Sequence, residues 1–396
     1  MDWQSVGSPH LLSSTIDVDN DDHIARLERF GDWSSIRNFA DIANPARTLY
    51  HGGDVEVRMA AIRTTIEYIR KNWSDYPKFV EVLANHLKSQ QLASGPEEEV
   101  RHLIDSILSI RREWSDRRAA PSTSDNFDVV RLYTSKFGYD RIFSMLNSAL
   151  RADNLTHRDG HLQATVFLIE LLNIDLYNYL FTHPSAKFQG EVYRGVCLHR
   201  NQIQEFRDLA AKPVLDRHWG VPLSMMSAST STEVALKFAR IDASHRSSHQ
   251  PFLWRIHIAD LDPELLKLYQ KRFPTSVVTT LCAVPIHELS QFEEEEVLLR
   301  GPFFQLIRIG EEVVDGHEPA IPVMDLVMLN TNRDHPSTAE LGEDQDKARK
   351  FFACLVSMGR AAVCKEVAEK YQLVDDVKVY KNMYEEQQKR LLNLES

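Results

Sequence analysis

Apolar residues recur along the first third of the chain at three- and four-residue steps. Met59, Ile62, Ile66, Ile69 and Trp73 fall on one stripe, the spacing by which an α-helix turns a single face to a core. Val100, Leu103, Ile107, Ile110 and Trp114 repeat that period behind Gly95-Pro96-Glu97-Glu98-Glu99. A proline suits the first helical turn there, and acids suit its positive end. The pattern predicts a helical module over 1–115, densest from 50 to 115. Two or three more helices are expected between Val129 and about Leu180.

After Gly190 the pattern changes to short β-branched and aromatic runs, at 191–196, 252–258, 276–284, 297–300, 303–309 and 322–329, which predict strands. Helices followed by strands within 126–330 describe an α+β domain. The polar stretch 116–125 has linker composition, as has 331–345, and 346–396 returns to helical sequence without any chemical signature. A helical-repeat origin for the flanks is the weaker reading, since no fixed period relates them.

Composition narrows the choice of partners. With 46 Lys and Arg against 57 Asp and Glu, the net charge is −11, so the surface as a whole repels phosphate backbones and nucleic acid is not an expected partner. No basic segment precedes an apolar run at the start, and no stretch is long and apolar enough to cross a bilayer, so neither a signal peptide nor a membrane contact is expected. The expected location is the cytoplasm, or outside the cell by a route that needs no signal peptide. Cys197, Cys282, Cys354 and Cys364 are widely spaced, with no Cys/His cluster of zinc-ligand spacing, so reduced thiols and no metal are expected. At 396 residues the chain is long enough for more than one unit. Oligomeric state is left open.

Three short segments carry candidate chemistry: Val192-Tyr193-Arg194-Gly195, then Ser227-Ala228-Ser229-Thr230-Ser231, then Phe292-Glu293-Glu294-Glu295-Glu296-Val297-Leu298-Leu299. Taken singly, each has an ordinary explanation as a surface charge, a turn and a solvated acidic face. The acidic run is the most informative. Its carboxylates lie directly against Val297-Leu298-Leu299, so acids must enter the start of a buried strand, where desolvation and like-charge repulsion are costly. On a strand period of two, Glu294 and Glu296 share a face. Paired carboxylates at a strand mouth suit glycosidic-bond chemistry with a cationic, sugar-centred transition state.

In this order, Arg, then Ser-x-Ser, then Glu-x-Glu before an apolar strand, the chain resembles the R-S-E class of mono-ADP-ribosyltransferases, which modify arginine. Val130-Arg131-Leu132-Tyr133-Thr134 and Asn147-Ser148-Ala149-Leu150-Arg151 look like that family's helical lead-in, and Val234-Ala235-Leu236-Lys237-Phe238-Ala239 is similar to the helix after its serine motif. The resemblance spans 126–330. It implies an ADP-ribosyltransferase-like fold, a helical lead-in followed by two facing, mostly antiparallel sheets, with NAD as co-substrate and an acceptor protein carrying the target arginine.

Carried over residue by residue, the resemblance implies that Arg194, with Tyr193 and Gly195 beside it, binds NAD phosphate, a role for which a guanidinium fork is suited. Ser227, the serine whose spacing to Val234-Ala235 matches the family, would hold Glu296, and Ser229 shares its strand face. Glu296 would bond the nicotinamide-ribose hydroxyl and stabilise the positive charge of the transition state. Glu294 would take a proton from the incoming guanidinium, and Phe292 would stack on it. An NAD glycohydrolase using the same site, and a non-catalytic module keeping the fold, are the alternatives. The tripeptide His157-Arg158-Asp159 matches a kinase catalytic loop, but it lacks the asparagine, glycine-rich loop and Asp-Phe-Gly that kinase chemistry needs.

Overall fold

A computed structural model describes residues 75–89 and 127–135 with scattered positions of 62–146, then 160–220, 225–239, 249–274, 282–290, 295–300, 303–314, 317–331 and 345–395. Helices come first: α1 (Tyr76–Ser89), α2 (Asp128–Tyr133) and α3 (Gly160–Thr182). Apolar residues occur on every side of α3, because it is buried among other elements rather than amphipathic at a surface. Its Asp175 does a second job. Phe127 precedes α2 and offers no side-chain cap, so the first amides of that helix, Val129 and Val130, donate instead to Asp175 Oδ2 at 3.0 and 3.1 Å. The carboxylate thereby satisfies two orphan donors at the positive end of a helix.

Eight strands follow: β1 (Gly190–His199), β2 (His218–Gly220), β3 (Met225–Ser229), β4 (His249–Ala259), β5 (Ala283–Pro285), β6 (Glu296–Arg300), β7 (Phe303–Val314) and β8 (His317–Leu329). Their spatial order is β2-β7-β8-β4-β1-β3-β6-β5. Every pairing is antiparallel except β4 with β8. The ladder narrows at one point. β1 meets β3 through the single pair Tyr193↔Ser229, so the order divides into a five-stranded and a three-stranded part. Val192, Val196, Trp254, Met324 and Leu326 of the first part share one apolar cluster with Met226, Ala228, Val297 and Leu299 of the second, and the two parts close over that core. The α+β architecture expected for 126–330 is the one observed, with the expected runs at 191–196, 252–258, 297–300, 303–309 and 322–329 all in strands; of the run expected at 276–284, residues 283–284 lie in β5 and 276–281 lie outside the described residues.

Helices α4 (Arg200–Ala210), α5 (Thr232–Phe238) and α6 (Pro263–Arg272) fill the connections. The expected flanks are not set apart in packing. Ile62, Ile66, Phe79, Val80 and Leu83 lie in the same cluster as α3 and as Met225, Ile286 and Leu298 of the strand region. At the other end, α7 (Gln345–Lys370) and α8 (Val374–Glu395) form a hairpin. Phe351, Phe352 and Leu355 pack on Tyr269 of α6 and on Phe273 just after it, while Cys364, Val367 and Tyr380 pack on Ile307 and Val327 of the sheet.

Beneath that hairpin lies a charged cluster. Asp325 of β8 is fully buried and meets Arg255 at 3.1 Å, Arg308 at 2.9 Å, His257 at 3.3 Å and the Tyr371 hydroxyl at 2.7 Å. Burial alone would raise its pKa, but bonds from His257 and Tyr371 and the two guanidiniums outweigh that and hold it below the usual carboxylate range. Glu191 of β1 extends the cluster to Lys370 at 2.8 Å, at the end of α7. All four cysteines are free and buried, and burial pushes the Cys197 and Cys364 thiols up to about 12.

Candidate active site

The site forms where the two strand sets meet. Across β1, β3 and β6, Tyr193, Ser229 and Glu296 stand in one row, Tyr193 opposite Ser229 and Ser229 opposite Glu296. Arg194 follows Tyr193 and is half-buried; its guanidinium Nη1 donates to the carbonyl oxygen of Ser227. Ser227 itself is paired with Leu298. Arg194 is thus held on the same short strand that places Ser229 beside Glu296, with about 7 Å of extended chain between the two positions.

The expected serine role divides in register. Ser229, rather than Ser227, lies opposite Glu296, and Ser227 reaches Arg194 through its backbone. The Ser229 hydroxyl also accepts from the Ser231 amide at 3.0 Å, and Ser231 caps α5 by accepting from the Val234 amide at 3.3 Å. The Ser-Thr-Ser stretch is therefore strand end, turn and helix cap in succession, and the family-like helix it starts is α5.

Gly195, expected beside NAD, has a packing reason of its own. A Cβ there would lie 1.7 Å from the carbonyl oxygen of Ala235, so only glycine lets α5 rest directly on β1.

Glu296 opens β6 and is 1% exposed, which makes it a buried carboxylate in a strand that is otherwise Val, Leu and Arg. Its Oε2 accepts from the Ser290 hydroxyl at 3.1 Å, and its backbone carbonyl accepts from the Ile286 amide at 2.9 Å. One expectation needs correction here. The period-two argument that put Glu294 on the Glu296 face requires strand geometry through Glu295, but β6 begins at Glu296 and Glu295 has φ +47°, in the left-handed region. The alternation breaks at that residue. Glu294 and Phe292 lie outside the described residues, as do Asn147 to Arg151 of the expected lead-in. Glu295 is fixed by Thr230, whose amide donates to its carbonyl at 3.2 Å and whose hydroxyl bonds its carboxylate.

Sequence reasoning missed Ser290, Thr230 and the Asp325 cluster. Ser290 carries no motif, and its contact exists only because a turn over 287–289 folds it back on Glu296. Among the described residues no group of side chains has the makings of a metal site, and no helix is long and apolar enough to cross a membrane.

No family model matches the chain, and no curated protein matches it in sequence. Solved structures to which the chain is similar include the ADP-ribosyltransferase Vis toxin from Vibrio splendidus, at 15% identity over 62% of this chain and 89% of that one, with a TM-score of 0.32. Another is the type III effector XopAI from Xanthomonas axonopodis pv. citri, at 12% identity over 66% and 92%, TM-score 0.35. A third is Plx2a, an ADP-ribosyltransferase toxin from Paenibacillus larvae, at 16% identity over 57% and 95%, TM-score 0.30. Likeness at this level decides nothing about chemistry, which has to come from the chain's own residues.

Proposed function

We propose that the chain is an NAD-dependent ADP-ribosyltransferase that modifies arginine side chains of other proteins. The observation that carries this reading is the junction of β1, β3 and β6, where a half-buried guanidinium and a buried carboxylate are held by one five-residue strand. NAD, when bound, supplies ADP-ribose through a glycosidic bond whose cleavage builds positive charge on the ribose and releases nicotinamide. A cation at one end and an anion at the other suit a ligand that carries phosphate at one position and develops positive charge at another.

In this reading Arg194 binds the phosphates through its guanidinium, and Tyr193 flanks it. Glu296 hydrogen-bonds the ribose hydroxyl and stabilises the developing charge from a site dry enough for that interaction to be strong. Ser229 and Ser227 keep the two charged groups in register. Glu294 takes the proton from the incoming guanidinium, whose pKa above about 12 makes it a poor nucleophile otherwise. Phe292 stacks on the same guanidinium plane.

Labelled NAD, a generic protein mixture and a small guanidine acceptor test this. Glu296→Gln is expected to lower both NAD cleavage and transfer by about 10²–10³ in kcat, the usual cost of losing one electrostatic stabiliser. Glu294→Gln is expected to lower arginine modification by about 10²–10⁴ while NAD hydrolysis survives, because water attacks without a general base more readily than a protonated guanidinium does. Parental arginine modification by Glu294→Gln would remove the arginine assignment, and parental NAD cleavage by Glu296→Gln would remove the whole reading.

A further inference from the structure

We propose that Ser290 is a positioning residue for Glu296. The inference rests on the reading of Glu296 as the group that stabilises the developing charge. It starts from an unusual placement: Ser290 lies six residues before Glu296, yet its hydroxyl donates to Glu296 Oε2 at 3.1 Å. The chain folds back to make this contact. Leu289 and Ser290 donate their amides to the Ile286 carbonyl at 2.9 and 2.8 Å, and the Ile286 amide donates to the Glu296 carbonyl at 2.9 Å.

The turn is itself anchored. Leu289 is buried in the cluster that contains α3, and the Tyr179 hydroxyl of α3 donates to Glu288 at 3.3 Å. On the far side, Glu295 is held at a positive φ by two bonds to Thr230, next to Ser229.

A hydroxyl on Oε2 restrains the rotation of the carboxylate, and so the direction in which it meets a ribose hydroxyl. This effect does not touch the phosphate end of the site, so loss of the hydroxyl should act on the chemical step and leave NAD affinity alone.

The test compares full-length parent, Ser290→Ala, Ser290→Thr and Glu296→Gln in NAD cleavage, with and without a small guanidine acceptor. Ser290→Ala is expected to lower kcat about tenfold or more, the value of a hydrogen bond to a charged group, with KM for NAD changed by less than about twofold. Ser290→Thr, which keeps the hydroxyl, is expected to recover kcat to within about threefold of the parent. Parental kcat in Ser290→Ala, a loss confined to KM, or failure of threonine to restore the rate overturns the inference. Glu296→Gln separates the two levels: if it is inactive while Ser290→Ala is parental, only the role of Ser290 falls, whereas parental cleavage by Glu296→Gln removes the reading of the site and this inference together.

Discussion

A methyl group added at Gly195 has nowhere to go, because the nearest atom is the backbone oxygen of Ala235 at 1.7 Å and helix α5 must lift to admit it. Gly195→Ala is therefore expected to cost about 1–3 kcal/mol, in the range of overpacked cores, and to lower the thermal midpoint as well as NAD cleavage. Loss of cleavage with an unchanged midpoint would instead point to direct contact with NAD. The two serines separate by the same kind of reasoning. Ser227 serves Arg194 through its carbonyl, which alanine keeps, whereas Ser229 stands opposite Glu296. Ser229→Ala should reduce kcat more than Ser227→Ala does, and steady-state kinetics of the pair would reverse that order if the side chain of Ser227 holds the carboxylate. Asp325 supplies the charge prediction. Its pKa is depressed in the folded state, so its contribution is complete above the unfolded value near 4 and is lost as pH falls through the lower folded value. Asp325→Ala leaves Arg255 and Arg308 to share Glu312 alone under the hairpin, at a cost of about 3 kcal/mol, and should flatten the acid limb of a stability-versus-pH curve.

The hairpin of α7 and α8 is the element whose importance was least evident beforehand. It covers Ile307 and Val327 on the sheet, Tyr269 on α6 and Phe273 just after it, and it brings Tyr371 to Asp325 and Lys370 to Glu191. Deleting 346–396 is expected to give an insoluble or partly unfolded chain, measurable by circular dichroism and light scattering, and a monomeric product with the parental midpoint would show the hairpin to be dispensable. The strands were legible because each carries its own alternation, as Val192 and Val196 do against Glu191 and Tyr193. So was the helix after the serine motif, whose cap and apolar residues are consecutive. The charged cluster was not legible. Its members in the sheet stand at 191, 255, 257, 308 and 325, polar residues scattered over four strands, and the registers Glu191↔His257, Arg255↔Asp325 and Arg308↔Asp325 bring them together. In the site, Arg194 and Glu296 could be read from their strands, but the break in the alternation at Glu295 could not, because the left-handed turn there goes with a contact to Thr230.

At the scale of the whole molecule, described helices towards both ends of the chain pack against the strand region or the helices within it. Phe79, Val80 and Leu83 share a core with α3, which also supports Leu289 of the turn beside Glu296. Removal of 1–115 should therefore expose apolar surface on α3 and lower the thermal midpoint; a truncated chain with parental stability would show that this region only rests on the rest. The burial of the cysteines has a practical outcome. With Cys197 on β1, Cys282 before β5 and Cys354 and Cys364 on the hairpin, each closed region holds a thiol that a maleimide cannot reach while that region stays shut. The native protein should take up no label at neutral pH, and in mild denaturant the order in which the four positions acquire mass would time the opening of the sheet and the hairpin separately, with no probe introduced and no residue changed.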